Sequence, residues 1–263
     1  MDDEQPRGVR FESNDGVGRI VLDRPDAANA MDLLAARAFG AAVDAGAGPD
    51  IRALTLTGTG ERFCAGGDIS TFLAHDDARL YMRMLATELE EHLRRLSDMS
   101  VPVVCGVHGA VAGAGLAFVL NADLVVAAAS TKFVFAYPRI GLTPDCGVSW
   151  RLPRVIGERR AMEMALLGRA LTAEEACNWG LVNEVVPDDA VDARVCDLAR
   201  EIADGPASAL GWSRRLLRQA WETDRQQNAT DEIETLIRLH SSDESRTLIA
   251  AFLAEHGLAK ERL

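Results

Sequence analysis

Lysine, paired cysteine motifs and long apolar runs are scarce in this sequence, and each shortage excludes something. No apolar run approaches the roughly 20 residues that a membrane-spanning helix needs. The opening stretch MDDEQPRGVR is acidic and polar, so it does not read as a signal or transit peptide, and a cytoplasmic location is expected. Five cysteines (Cys64, Cys105, Cys146, Cys177 and Cys196) form an odd set with no Cys-x-x-Cys pair. Metal-ligand spacing is absent, so reduced thiols and no zinc site are expected. There is no G-x-x-x-x-G-K-[ST] phosphate loop. Only Lys132 and Lys260 are lysines, so any phosphate contact must come from arginine or backbone amides. A net charge of −12 argues against a broad nucleic-acid-binding face, though a local cluster could still hold a small anion.

What is present is the composition of a globular protein. Hydrophobic residues make up 48% of the chain, enough for the core of one large domain or of a main domain with an appendage. Val9–Glu12 and Val17–Leu22 read as strands around the turn Asn14-Asp15-Gly16, Met31–Val43 as a helix and Ala53–Thr57 as a buried strand. Leu80, Met84, Leu85, Leu89, Leu93 and Leu96 recur at helical spacing, predicting an amphipathic helix over Ala78–Leu96. Further strands are expected at Val103–Val107, Leu124–Ala127, Lys132–Phe135 and Val182–Val186. Thr172-Ala173-Glu174-Glu175 is a capping-box pattern that starts a helix ended by Gly180. Beyond it only helices are predicted: Asp189–Asp204, Pro206–Thr223, Asp231–His240 and Asp243–Glu255. The pattern is an α/β core over 1–200 followed by a helical region over 201–263.

Val101 to Pro153 is the most informative stretch. A β-branched run meets the small-residue loop Gly109–Gly115, and a proline-bounded loop beyond it carries one acid, Asp145. An earlier loop, Phe63-Cys64-Ala65-Gly66-Gly67-Asp68, is equally rich in glycine. Loops of this kind can present backbone N–H groups to a ligand, the second at the start of a helix. They can equally serve tight packing of helix on strand. Asp145 can be read as an acid–base group or as the N-cap of a helix over Gly147–Ile156.

Five motifs in chain order carry a resemblance. They are Val21-Leu22-Asp23-Arg24-Pro25-Asp26-Ala27-Ala28-Asn29-Ala30-Met31, Phe63-Cys64-Ala65-Gly66-Gly67-Asp68-Ile69, and His108-Gly109 through Ala114-Gly115 to Asp123. Gly141-Leu142-Thr143-Pro144 follows, then Gly168 through Ala176 with Gly180-Leu181-Val182. Together they resemble the enoyl-CoA hydratase/isomerase (crotonase) family nearly end to end, and Gly-Leu-Thr-Pro-Asp-Cys-Gly looks closest to its phenylacetate-pathway isomerase branch. The resemblance implies a spiral of β-β-α turns, an acyl-CoA thioester substrate with no cofactor beyond that coenzyme A, and C-terminal helices used in a homotrimer or dimer of trimers. It places oxyanion-hole donors at the amides of Gly67 and Ala114. It places substrate contacts around Ala28, Ala65, Asp68 and Ile69, with Tyr81, Met82, Met84, Tyr137 and Trp150 as candidate acyl-pocket lining.

The resemblance also exposes two departures. The glutamates that the family's hydratases use fall at Ala117 and Tyr137, so both carboxylates are missing. Asp145 stands where isomerases of the family place an acid and aryl-CoA dehalogenases a nucleophile. The expected activity is therefore a double-bond shift by a single acid. Hydration, nucleophilic thioester or halide chemistry, and acyl-CoA binding without catalysis are the alternatives. Cys146 is a candidate nucleophile or pocket wall, His108 a structural residue, and Arg24 a phosphate contact or a solvated turn residue. Phe252-Leu253-Ala254-Glu255-His256 lacks the family's basic pair, for which Lys260 is a possible substitute.

Overall fold

The structure, a computed structural model, describes residues 7–256. Strands β1 (Val9–Asn14) and β2 (Val17–Leu22) form a hairpin that pairs from Val9↔Leu22 to Asn14↔Val17. Its turn needs two positive φ angles, supplied by Asp15 (49°) and Gly16 (79°). Helix α1 (Leu33–Gly46) starts later than the apolar pattern predicts. Met31 is taken by a bridge to Gly67, and the Asp32 side chain caps the helix through the Ala35 amide.

The chain continues through β3 (Ala53–Gly58), α2 (Ile69–Ala74), α3 (Ala78–Asp98), β4 (Val103–Val107), β5 (Ala110–Ala112) and α4 (Ala114–Asn121). It then forms β6 (Leu124–Ala128), β7 (Lys132–Val134), α5 (Val148–Ile156), α6 (Glu158–Leu167), β8 (Ala170–Thr172), α7 (Ala173–Trp179) and β9 (Glu184–Val186). Four helices close it: α8 (Val191–Asp204), α9 (Ala207–Gln219), α10 (Arg225–His240) and α11 (Asp243–Glu255). Among the described residues, no helix is long and apolar enough to cross a membrane.

Two sheets organise the core. The larger has the order β1-β2-β3-β4-β6-β9 and is parallel from β2 onward. The smaller has the order β5-β7-β8. β4 is followed by β5 and β6 by β7, while β2 and β3 are followed by the single bridges at Met31 and Cys64. That repetition is the β-β-α spiral the resemblance implies. Helices α1, α3 and α4 pack around Phe39, Phe118 and Phe63, with Phe39 and Phe118 edge to face at 4.9 Å. Helix α8 covers the opposite face through Val191, Val195 and Ala199 against Ala53, Val104 and Val126.

Three short elements, α2, β5 and β8, depart from the sequence expectation. The two strands have three residues each and no apolar alternation to reveal them; partner β7 makes them strands. Helix α10 starts at Arg225 rather than Asp231 because Asp224 caps it, accepting from the Gln227 amide at 2.9 Å.

Helix α9 is locked to the core by charge. The Arg214 guanidinium donates to Asp123 at 2.5 Å, to the carbonyls of Ser97 (2.9 Å) and Leu96 (3.0 Å), and to that of Met99. Arg218 takes the other Asp123 oxygen at 2.6 Å. The same carboxylate accepts the Val103 amide at 2.8 Å, so one acid ties α9 to the start of β4. The next two helices leave apolar side chains exposed: Ile233, Leu236 and Ile237 on α10, and Leu248, Ile249 and Phe252 on α11.

Arg214 is nearly wholly buried, so Arg214→Ala strands three carbonyls and weakens the hold on Asp123. Breaking a buried pair costs about 3–5 kcal/mol. With Arg218 still in place the expected loss is about 3 kcal/mol in urea unfolding, and a loss below about 1 kcal/mol contradicts the anchoring role.

Candidate active site

Two backbone segments meet at the site. The Cys64 amide donates to Ala110 at 3.3 Å and the Ala112 amide to Cys64 at 3.0 Å, closing a parallel bridge between Cys64 and Val111. Two residues on, Met31 donates to Gly66 at 2.8 Å and accepts from Asp68 at 2.9 Å. In a parallel bridge the flanked residue's own amide points away from its partner. The Gly67 N–H is therefore turned away from Met31. Ala114 opens α4, so its N–H is one of the helix's unpaired donors at the positive end of the dipole. Among the described residues, neither amide donates to a carbonyl of a turn or loop.

Glycine permits the close approach. A Cβ on Gly113 would sit 3.0 Å from the Gly66 Cα, and one on Gly115 would sit 2.6 Å from the Cys64 carbonyl oxygen. Gly113 also holds φ 53° with ψ −119°, a conformation that side chains resist.

Both amide-bearing residues line one cavity of about 400 Å³. Its walls come from Ile69 and Phe72 of α2, Met82, Leu85 and Leu89 of α3, and Tyr137, Ile140 and Leu142 of the turn after β7. Asp145 lines it too and is the one carboxylate among the described residues that do so. A larger groove of about 590 Å³ lies between α9 and α10, walled by Arg215, Asp231, Glu234 and Arg238, and contains neither glycine loop.

The Asp145 side chain caps nothing. The N-cap of α5 is Gly147, which receives no side-chain bond, and only the Asp145 carbonyl accepts, from the Val148 amide at 3.0 Å. The capping reading is thereby corrected. Cys146 (φ 50°) and Gly147 (φ 70°) are both left-handed and turn the chain sharply between the acid and α5. Burial above all, and then the charges of Asp145 and Glu90, push the Cys146 thiol far up, so it stays protonated and is a poor nucleophile.

Of the residues expected to contact substrate, Ala65, Ile69 and Tyr137 line the cavity. Ala28 lies behind it, its carbonyl accepting from the Ala65 amide at 3.0 Å. Four others are not among the residues that line it. Asp68 faces Arg24 at 3.0 Å and Ser70 at 2.5 Å. The Tyr81 hydroxyl accepts from the Leu33 amide at 3.2 Å and its ring stacks on His75. Met84 is on the same helix outside the lining, which Met82 joins instead. Trp150 packs on Arg154 and Trp221, in a separate crevice with Cys146 and Arg151. Arg24 is neither solvated nor free for phosphate: it binds Asp32 and Asp68, each at 3.0 Å, and the Ala30 carbonyl. His108 contacts the Gly60 carbonyl at 2.9 Å, a structural tie. Ala117 is fully buried in the core. Lys260 lies outside the described residues. Sequence reasoning missed Phe72, Leu85, Leu89, Ile140 and Leu142; the apolar stripe of α3 was the available signal for two of them.

Residues 12–258 match the family model described as enoyl-CoA hydratase/isomerase. The chain is 37% identical over 246 residues to 1,2-epoxyphenylacetyl-CoA isomerase of Escherichia coli K12, covering 91% of this chain and 93% of that one. It is 28% identical over 240 residues to 4-chlorobenzoyl coenzyme A dehalogenase-2 of an Arthrobacter species, covering 90% and 87%. Among solved structures, an enoyl-CoA hydratase from Polaromonas sp. JS666 superposes with a TM-score of 0.89 at 28% identity, over 94% of this chain and 97% of that one.

Asp68 offers a test of how its loop is held. Burial raises its carboxyl pKa, but the hydrogen bonds from Ser70 and Arg24 and the Arg24 charge outweigh that and hold it below the usual carboxylate range. A depressed native pKa adds stability that is full above the unfolded value, near about 4, and is lost as pH falls through the native value. Asp68→Asn is therefore expected to be less stable than the parent at neutral pH, with the gap closing below about pH 4. Urea unfolding across a pH series reads this; a gap constant to the acid limit means that the charge is not what holds the loop.

Proposed function

The chain belongs to the enoyl-CoA hydratase/isomerase family, and from that premise we propose that it shifts a double bond in an acyl-CoA thioester, with Asp145 as the proton shuttle. The observation that carries this reading is the company Asp145 keeps: a single acid lining one cavity with the Gly67 and Ala114 residues. The thioester oxygen would accept both amides. Asp145 would take a proton from C2 of a 3-enoyl thioester and the electron pair would spread into a dienolate. The same carboxyl would return the proton at C4, leaving the double bond between C2 and C3. A fixed oxyanion donor is typically worth about 3–4 kcal/mol, because it meets the developing charge without reorganising.

Hydration would need a base for water and an acid for the α-carbon. The positions that hold glutamates in the family's hydratases carry Ala117 and Tyr137, and Ala117 is sealed in the core. The protonated Cys146 supports no thiol-based acyl transfer. The apolar walls contributed by Leu85, Leu89, Ile140 and Leu142 suit a hydrocarbon or aromatic acyl group rather than a charged one.

The 201–263 region is assigned to self-assembly. Ile233, Leu236 and Ile237 of α10 and Leu248, Ile249 and Phe252 of α11 are all exposed, and apolar side chains left to water in such numbers suit association.

Two experiments follow. Asp145→Asn is expected to lower 3-enoyl-CoA isomerisation by about 10³-fold while acyl-CoA binding is kept, as for loss of a general acid–base group. Full turnover in that variant overturns the assignment, and water addition by the parent in place of isomerisation favours a hydratase. Sedimentation of the full chain is expected to give three or six copies and Ile237→Asp smaller species; a parent that sediments as a monomer overturns the assembly reading.

A further inference from the structure

The hydroxyl of Tyr137 is shut off from solvent and has no hydrogen-bond partner among the described residues. Leaving a buried donor unpaired costs about 1–3 kcal/mol, and tyrosines held in cores nearly always find an acceptor. Phenylalanine would fill the same volume without that cost. The ring is also firmly held. It packs edge to face on Phe135 at 5.2 Å, Pro138 follows it, and its carbonyl accepts from the Leu142 amide at 3.1 Å. The other orphan, the Thr55 hydroxyl, is in β3 and does not line the cavity.

Asp145 shows the complementary shortage. Its carboxylate lines the same cavity as Tyr137, is exposed, and makes no ion pair among the described residues; the Tyr137 hydroxyl and the Cys146 thiol stand close enough to act on it as donors without closing a full hydrogen bond. A carboxylate free to rotate is a poor shuttle, because proton transfer demands hydrogen-bond reach at each carbon in turn.

We infer that Tyr137 is a positioning residue: with substrate in the cavity its hydroxyl donates to one oxygen of Asp145, leaving the other oxygen to carry the proton from C2 to C4. The phenol suits that task. Burial foremost, and then the negative charge of Asp145, hold its proton on, so it acts as a donor and does not compete as an acid. The proton bookkeeping is unaffected: Asp145 gains and returns one proton, and Tyr137 keeps its own. Other charged groups face Asp145. Glu90, Glu91 and Arg94 of α3 share a crevice with it on one side, Arg139 lines the cavity on the other, and the protonated Cys146 adjoins it. Removing Tyr137 leaves all of these in place, so a change in titration on its removal reports the phenol itself.

This inference rests on the Asp145 reading above and is tested separately from it. Tyr137→Phe is expected to keep the parent's thermal midpoint or exceed it, since the substitution removes an unpaired hydroxyl. Its kcat for 3-enoyl-CoA is expected to fall about 10-fold with KM within about twofold, as when a group acting only in the transition state is lost. The acid limb of its kcat profile, which titrates the enzyme with substrate bound, is expected to move up by about one pH unit, because a hydrogen bond to the charged carboxylate favours ionisation. An acid limb that does not move overturns the inference. So does a rise in KM confined to acyl groups that carry an oxygen beyond the thioester carbonyl, which would mean that the hydroxyl meets substrate instead. If Asp145→Asn is inactive while Tyr137→Phe matches the parent, only the positioning role fails; if Asp145→Asn is active, the shuttle itself fails.

Discussion

The contact between the Gly66–Gly67 turn and the Gly113–Ala114 turn is the constraint on which the site depends. The two amides that the proposed reaction would aim at one atom come from segments almost fifty residues apart, so local structure alone cannot aim them. The sheet topology brings the segments together. β3 and β4 are parallel neighbours, and the two turns follow their carboxyl ends. In open α/β sheets that end is where loops converge and ligands bind. The Cys64–Val111 bridge then sets the register between the loops, and glycine removes the side chains that would hold them apart.

Charge fixes what the sheet alone leaves loose. Arg24 reaches from the turn after β2 to Asp32 at the start of α1 and to Asp68 beyond the Gly67 turn. A single guanidinium thus joins three pieces of chain around the first donor loop. Asp123 does the same on the far side of α4, accepting from Arg214 and Arg218 of α9. Both networks are largely desolvated, where a fixed geometry counts for more than net stability. They hold the frame of the site without facing the cavity.

Glycine and the strand pattern made much of this legible. The Gly-rich loops, the strands before them and the amphipathic α3 all follow from residue type and spacing. The short strands did not, because β5 and β8 owe their state to β7 rather than to their own residues. Helical periodicity identified the stripe of α3 but not which part of it would face a cavity. Leu93 and Leu96 point into the core, Leu85 and Leu89 border the cavity, and Tyr81 turns back to the Leu33 amide. Asp68 and Arg24 each looked available for a ligand in sequence. Only the fold shows that they satisfy each other.

A tyrosine at 137 and an aspartate at 145 make a physically consistent pair. Tyr137 and Asp145 line the same cavity, and the charge of Asp145 acts directly on the phenol. A glutamate in the place of Tyr137 would be buried beside another carboxylate. Two like charges so placed cannot both ionise at ordinary pH, and one would be forced to hold its proton. A phenol avoids that conflict: it is neutral, fills the space with an aromatic wall and can donate without titrating. The Cys146-Gly147 turn that follows, left-handed at both residues, sets where the acid stands relative to α5. A carboxylate at 145 and a neutral donor at 137 are therefore compatible in a way that carboxylates at both are not. Under the proposed function, the absence of a glutamate at 137 is better read as the condition for an acid at 145 than as a sign of lost chemistry.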